Sequence, residues 1–294
     1  MATLQRGTLF APELVSDLFN KVTGHSSIAR LSAQIPVAFN GNEVFTFNFD
    51  KEVDIVAENG PKSAGGLTVT GKNIVPIKVE YGARVTDEFM YASEEKQLDI
   101  LRAFNDGYAK KVARGLDIMA MHGLNPRTNT AATATIGTNS FDTDDDVTTI
   151  TYTAADPEAN LEAAIAAIGD YDATGFAFSK TFAAALAALK VNGVPQYPEF
   201  KLGANPGVLG GRACDVNSTV SVAASGETPD QAILGDFANA FKWGYAKQIP
   251  LEVIPYGDPD QSGEDLKAHN QVYLRAETYI GWAILAPEAF AVIR

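Results

Sequence analysis

"SEEKQLDILRAFNDGYAKKVARGLDIMAMHG", residues Ser93–Gly123, is the stretch on which the fold turns. Leu98, Leu101, Asn105, Tyr108, Val112, Leu116 and Met119 recur at three- and four-residue spacing, the mark of a helix that packs along one face. Ser93 is placed to cap the first turn, Glu94 and Glu95 suit the positive end of the helix dipole, and His122-Gly123 supplies a stop. The expected helix, Glu94 to His122, is on the order of 40 Å long. A helix of that length needs an extended surface to lie on.

That surface is sought on either side. Upstream, "EVFTFNF", Glu43–Phe49, alternates Val44, Thr46 and Asn48 with Phe45, Phe47 and Phe49, and a second alternating run goes from Leu67 to Val79. Between them the polar "AENGPKSAGG", Ala57–Gly66, turns the chain and has few bulky apolar residues to tie it to a core, so the hairpin is expected to project. Residues 1 to 35 read as an arm. Downstream lie an acidic, Thr-rich segment to about Thr153 and two Ala-rich helices, Pro157 to Ile168 and Lys180 to Lys190. Strand signals follow. In "GDFANAFKWGYAKQIPLEVI", Gly235–Ile254, alternation puts Phe241, Trp243 and Tyr245 on one face of a strand. Ala-rich helices beside β-branched strands give an α+β chain without internal repeats.

Composition narrows the function. The chain has 294 residues, 46% hydrophobic and 20% charged, the profile of a globular protein. No apolar run reaches the length of a membrane span, and the N-terminus has no signal-peptide core, so no membrane contact is expected. The net charge of −13 repels nucleic acid over the surface as a whole. Thr128 through Asp170 holds eight acidic residues and no Lys or Arg. The lone Cys214, with an aspartate beside it, reads as a small buried hydrophobe.

Motifs that suggest chemistry fail on inspection. "GLTVTGKN", Gly66–Asn73, misses the phosphate-loop pattern at Asn73 and continues as strand, where a phosphate loop would open a helix. His25, His122 and His269 are scattered, without a second His or Cys at ligand spacing, so a zinc site is not expected. "DTDDD", Asp142–Asp146, lacks the glycine turn and distal glutamate of a calcium loop and reads as a solvated acidic loop. No Ser/His/Asp set and no nucleophile elbow is present. Neither an enzyme nor a cofactor site is expected.

The ordered series of segments resembles the major capsid proteins of tailed bacteriophages, whose fold is shared with encapsulin nanocompartments. The resemblance runs through the arm, the projecting hairpin, "VEYGARVTDEFM" (Val79–Met90) leading into the long helix, "GLDIMAMHG" (Gly115–Gly123), "FAFSKTFAAALAALKVNGVPQY" (Phe176–Tyr197), "LGG" (Leu209–Gly211), "ILGDFANAFKWGY" (Ile233–Tyr245) and the closing "VYLRAETYIGWAILAPEAFAVI" (Val272–Ile293). Each piece is weakly specific; the order is not.

The resemblance implies the tailed-phage capsid fold, with an arm at 1–35, an extended hairpin at 36–82, a peripheral domain with the long helix at 83–127, an acidic insert at 128–153, an axial domain at 154–235 and peripheral return strands at 236–294. It implies an icosahedral shell of hexamers and pentamers enclosing double-stranded DNA contacted non-specifically, assembled in the bacterial cytoplasm, with portal and decoration proteins as further partners. Because the chain opens directly with the arm, a separate scaffolding protein or none is expected. An encapsulin-type cargo shell is the alternative. Phe10, Leu14 and Phe19 of the arm, Lys62 of the hairpin tip, and Phe241, Trp243 and Tyr245 are the assembly candidates. Some family members join a hairpin lysine to a neighbour's asparagine with a glutamate as base; Lys62, Asn270 and Glu277 stand at the matching places. The polar surroundings of Lys62 favour instead a solvated lysine, with Asn270 capping a turn and Glu277 paired to a base on an adjacent strand.

Overall fold

The computed structural model describes residues 26–91 and 94–294. The arm candidates Phe10, Leu14 and Phe19, and Ser93 as a helix cap, lie outside these residues. The long helix runs Glu94–His122, as its periodicity predicts. Leu101, Tyr108, Val112, Leu116 and Met119 are buried, while Arg102, Lys110 and Lys111 face out. Its last two turns differ: from Gly115 to His122 every residue is buried, including Asp117 and His122. Gly123 ends it at φ +65°, its N–H bonded to the Met119 carbonyl. A side chain there would collide with Ser140.

The strands, in chain order, are β1 (Asn42–Phe49), β2 (Leu67–Ile74), β3 (Ile77–Thr86), β4 (Leu124–Asn125), β5 (Thr130–Ala131), β6 (Thr148–Ile150), β7 (Gly175–Phe178), β8 (Lys190–Val191), β9 (Val194–Pro195), β10 (Val208–Leu209), β11 (Arg212–Val216), β12 (Ala232–Gly235), β13 (Phe241–Ile254), β14 (Gln271–Ile284) and β15 (Phe290–Ile293). β1 and β2 form a two-stranded antiparallel ribbon. The order β13-β14-β3 makes a three-stranded antiparallel sheet, with Trp243 opposite Trp282 and two register shifts along β13. The long helix lies on this sheet: Leu101, Tyr108 and Val112 pack with Leu251, Val272, Leu274 and Ala276.

A six-stranded mixed sheet runs β10-β11-β7-β12-β15-β6, parallel between β11 and β7 and between β15 and β6. Helices Pro157–Ala167 and Lys180–Ala188 join Phe176, Phe178 and Phe200 in its core; Asp156 and Ser179 cap their N-termini. Here one expectation is corrected. The closing strand β15 does not return to the sheet of β13 and β14; it pairs with β12 and β6. The 3₁₀ turn Pro287–Ala289 redirects the chain between them. The buried end of the long helix, Trp243, Trp282, Phe141, Phe237 and Phe290 form one cluster to which both sheets contribute.

Candidate functional site

Among the described residues, the β1–β2 ribbon carries a run of uncovered apolar side chains. Phe45, Phe47 and Phe49 are 64%, 68% and 68% exposed, and the register sets Phe47 opposite Val69 and Phe49 opposite Leu67, both also exposed. One face of the ribbon is therefore a bare apolar strip, while the other carries Thr46, Asn48, Thr68 and Thr70. Beyond the ribbon Val53 and Ile55 are each 96% exposed. The root is fixed: Ile74 is fully buried with Val37 and Ala283. Apolar surface of this kind marks an interaction site.

A groove of about 710 Å³ runs between β3 and the long helix. Val79, Val112, Ile118, Met119 and Leu124 supply apolar wall, and Lys78, Lys111, Arg114 and Arg127 outnumber Glu80 among its charged residues. Among the described residues β3 pairs only with β14, so its groove-side edge has no strand on it. Behind the groove the Tyr108 hydroxyl donates to Thr278 Oγ1 at 2.9 Å, and burial pushes its pKa well above the ordinary range.

The aromatic assembly candidates require correction. Phe241 and Trp243 have no exposed surface, so they belong to the subunit's own core and have nothing to present to a neighbour. Tyr245 packs edge-on against Trp243, half-buried in the same layer. Lys62 is exposed in the hairpin tip. Asn270 takes a left-handed conformation at the end of the 3₁₀ turn Lys267–His269, and its carbonyl accepts from Asp87 N–H at 2.8 Å. Glu277 is held by Lys78 Nζ at 2.8 Å, from the adjacent strand β3, and by Arg275 Nε at 3.5 Å. Cys214 is buried, and that burial pushes its thiol up to about 11.

Three polar centres escaped the sequence reading. The Asp117 carboxyl, inside the helix's buried end, accepts from Ser26 Oγ, from the N–H groups of Ser27 (3.0 Å) and Ile28 (3.2 Å), from Thr219 Oγ1 (2.7 Å) and from Asn217 Nδ2 (3.3 Å). Burial nevertheless raises its pKa to about 6. It fastens the start of the short helix Ser27–Leu31 to the long one. Asp215 completes the attachment by accepting from Ser27 Oγ and Arg30.

At the far end of the three-stranded sheet "DPDQSGE", Asp258–Glu264, places Asp258, Asp260, Ser262 and the Glu264 carbonyl at the first, third, fifth and seventh positions of a calcium-type loop. The place of the cation is filled by Arg84 Nη2, whose two N–H groups point among those four oxygens, at 2.9, 2.5, 2.5 and 2.9 Å from the nitrogen. The guanidinium holds the Asp260 carboxyl far below the usual range. The D-x-D-x-S-G spacing was the available signal.

The third centre gathers His122, Asp142, Asp230 and Arg294. His122 Nδ1 lies 2.8 Å from Asp142 Oδ2 and 3.3 Å from Asp230 Oδ2, while Nε2–H donates to the Thr219 carbonyl at 2.9 Å. Arg294 donates through Nε to Asp230 Oδ1 at 2.7 Å and through Nη2 to Asp142 Oδ1. Burial pulls the imidazole pKa down, but the two carboxylates beside it outweigh that and raise it to about 10. Asp142 thus departs from the solvated loop expected of "DTDDD"; Asp145 and Asp146 do face solvent.

This architecture, a long helix on a three-stranded sheet, a second mixed sheet and a bare projecting ribbon, defines a class: the shell subunits of phage capsids. The chain superposes on one from Mycobacterium phage Ogopogo with a TM-score of 0.77 and 30% identity, covering 92% of each. With a chain from Gordonia phage Cozz the TM-score is 0.74 and the identity 27%, over 92% of this chain and 86% of that one. A chain described as the capsid of a native GTA particle shares the fold at a TM-score of 0.59 and 15% identity, over 100% of this chain and 92% of the other. No curated protein matches the sequence. The model of the phage capsid family matches residues 6–294, and the chain belongs to that family. It is a structural subunit of the capsid shell of a virion, and the encapsulin alternative is not favoured.

Proposed function

We propose that the chain builds an icosahedral head of hexamers and pentamers around double-stranded DNA, and that its ribbon supplies the contact between neighbours within each capsomer. The observation that carries this is the strip Phe45, Phe47, Phe49, Leu67 and Val69, which has no partner among the described residues of its own subunit. Burial of such a strip at roughly 25 cal/mol per Å² favours association, and only a second subunit offers it at every copy. The groove beside β3 is the receiving surface. The tip segment "EVDIV", Glu52–Val56, alternates acidic and apolar side chains, and the groove alternates a basic rim with an apolar wall.

Packaged DNA is contacted without sequence readout, since a subunit of net charge −13 offers no broad basic surface. Portal and decoration proteins are the further partners, with a separate scaffolding protein or none, and assembly takes place in the bacterial cytoplasm. No helix among the described residues is long and apolar enough to cross a membrane. The test is expression followed by electron microscopy: the protein forms shells or capsomers, and removing Ala57–Gly66 leaves it folded but weakens assembly. Normal particles from the shortened chain would refute the role of the hairpin.

A further inference from the structure

The centre at His122 contains an arrangement that hydrogen bonding alone leaves incomplete. Two carboxylate oxygens converge on one ring nitrogen, and a single proton on Nδ1 can be donated well to only one of them. Asp142 Oδ2, at 2.8 Å, takes it. Asp230 Oδ2 then has no hydrogen-bond donor, although the Asp230 side chain is only 1% exposed. A buried carboxylate oxygen without a donor is costly, and a cation lodged between the three atoms would satisfy it.

We propose that His122 Nδ1, Asp142 and Asp230 form a binding site for one divalent transition-metal ion, with Zn²⁺ as the ion best matched to the donors. The three ligand atoms lie within 4.8 Å of one another. Zinc bonds of about 2.0–2.2 Å to imidazole nitrogen and carboxylate oxygen set donors roughly 3.3 Å apart in a tetrahedral site. Asp230 Oδ2 already stands at 3.3 Å from Nδ1, and Asp142 Oδ2 has to retreat by about 0.5 Å to match.

The surrounding groups are those that a metal site uses. Nε2–H is committed to the Thr219 carbonyl, which leaves Nδ1 as the nitrogen that faces the ion. Arg294 holds the outer oxygen of each carboxylate, so the inner ones are aimed inward. Once Nδ1 has given up its proton, two carboxylates and one guanidinium leave the site with one net negative charge, which favours a dication. When the ion binds, one metal–nitrogen bond forms as the Nδ1–H bond breaks, and that proton leaves to solvent. Asp142 and Arg294 are the more open members of the group, and on their side the ion can enter. An ion here joins the end of the long helix, the acidic insert and the loop before β12.

The experiment uses the full chain, stripped with EDTA and titrated with ZnCl₂, and in parallel with MnCl₂ and MgCl₂. One Zn²⁺ per subunit is expected, with Tm rising by roughly 5 °C at a hundredfold excess over the dissociation constant. Manganese should bind at least tenfold more weakly than zinc, and magnesium not at all. Asp230→Asn should lower zinc affinity more than tenfold, and His122→Gln should abolish it. If either variant fails to fold, Asp142→Asn at the more open edge of the site gives the same comparison. Absence of saturable zinc uptake by the native chain would overturn the proposal. So would uptake that survives both Asp230→Asn and His122→Gln, since the ion would then sit elsewhere. Either failure leaves shell assembly unaffected.

Discussion

Two strands of this chain carry the same pattern and meet opposite fates. On β1, Phe45, Phe47 and Phe49 alternate with Thr46 and Asn48; on β13, Phe241, Trp243 and Tyr245 alternate with Lys242 and Gly244. The second set lies inside the subunit, with Phe241 and Trp243 fully buried, whereas the three phenylalanines of the first are bare. Alternation therefore states which residues share a face and says nothing about what covers it. On β13 the cover is the long helix and the second sheet. On β1 it has to come from another molecule.

The sharpest way to break this comparison is to remove the largest side chain on the buried side. Trp243→Ala is expected to destabilise the subunit by roughly 3–5 kcal/mol, read from denaturant unfolding of the unassembled protein. An effect under about 1 kcal/mol would mean that the strand is no more central than the ribbon.

Much of the fold was legible for the same reason that β13 was. The long helix begins and ends where its periodicity and its His122-Gly123 stop place it, and both Ala-rich helices start at the residues expected. What escaped is what no local pattern encodes. Asp117 meets Ser26 and Thr219 across separations of 91 and 102 residues, and Arg294 meets Asp142 across 152. Strand β15 looked like a continuation of β14 because both are apolar runs, and only the turn at Pro287–Ala289 moves it to another sheet. The interface role assigned to Phe241 and Trp243 failed because an aromatic run looks alike in a core and at a contact. The Asp258–Gly263 spacing, by contrast, is a local pattern legible in the sequence alone.

The buried side also sets a pH dependence that the ribbon, without a comparable interior carboxyl, cannot. Burial raises the Asp117 pKa to about 6, from about 3.9 in an unfolded chain. The fold thus prefers its protonated form. The stability it contributes is whole below about pH 4, declines as the pH rises, and is gone above about pH 6, a change of order 3 kcal/mol. Asp117→Asn lacks that step, while leaving some of the surrounding donors unmatched. The stability gap between native protein and variant should therefore narrow by about 2–3 kcal/mol from pH 4 to pH 7.5. A gap constant with pH would show that the five donors, and not burial, decide the carboxyl's state.

On the bare side the expected change in subunit stability is far smaller. Replacing Phe45, Phe47 and Phe49 together by Ser should shift unfolding of the isolated subunit by less than about 0.5 kcal/mol per site, since the three rings stand mostly exposed and meet only residues of the ribbon itself, Phe47 against Phe49. Assembly should be lost. Sizing and micrographs that show normal shells, or a subunit that unfolds like Trp243→Ala, would erase the distinction between the two strands.

The smallest effect is expected at the hairpin tip, where the resemblance to capsid proteins raised a covalent bond between subunits. Joining Lys62 to a neighbour's Asn270 needs an amine freed of its proton and a carboxylate free to take protons. Lys62 is exposed in the tip and faces solvent. Glu277, far from free, is bonded to Lys78 at 2.8 Å, and Arg275 stands at 3.5 Å on its other side. Asn270 occupies a left-handed turn position that its side chain suits without any reaction. Mature particles, boiled and reduced, should therefore run as one band near 31.3 kDa, and Lys62→Ala particles should be indistinguishable from them. A ladder of heavier bands that disappears in Lys62→Ala would make the tip a reactive site and require Glu277 to leave Lys78 when a neighbour docks.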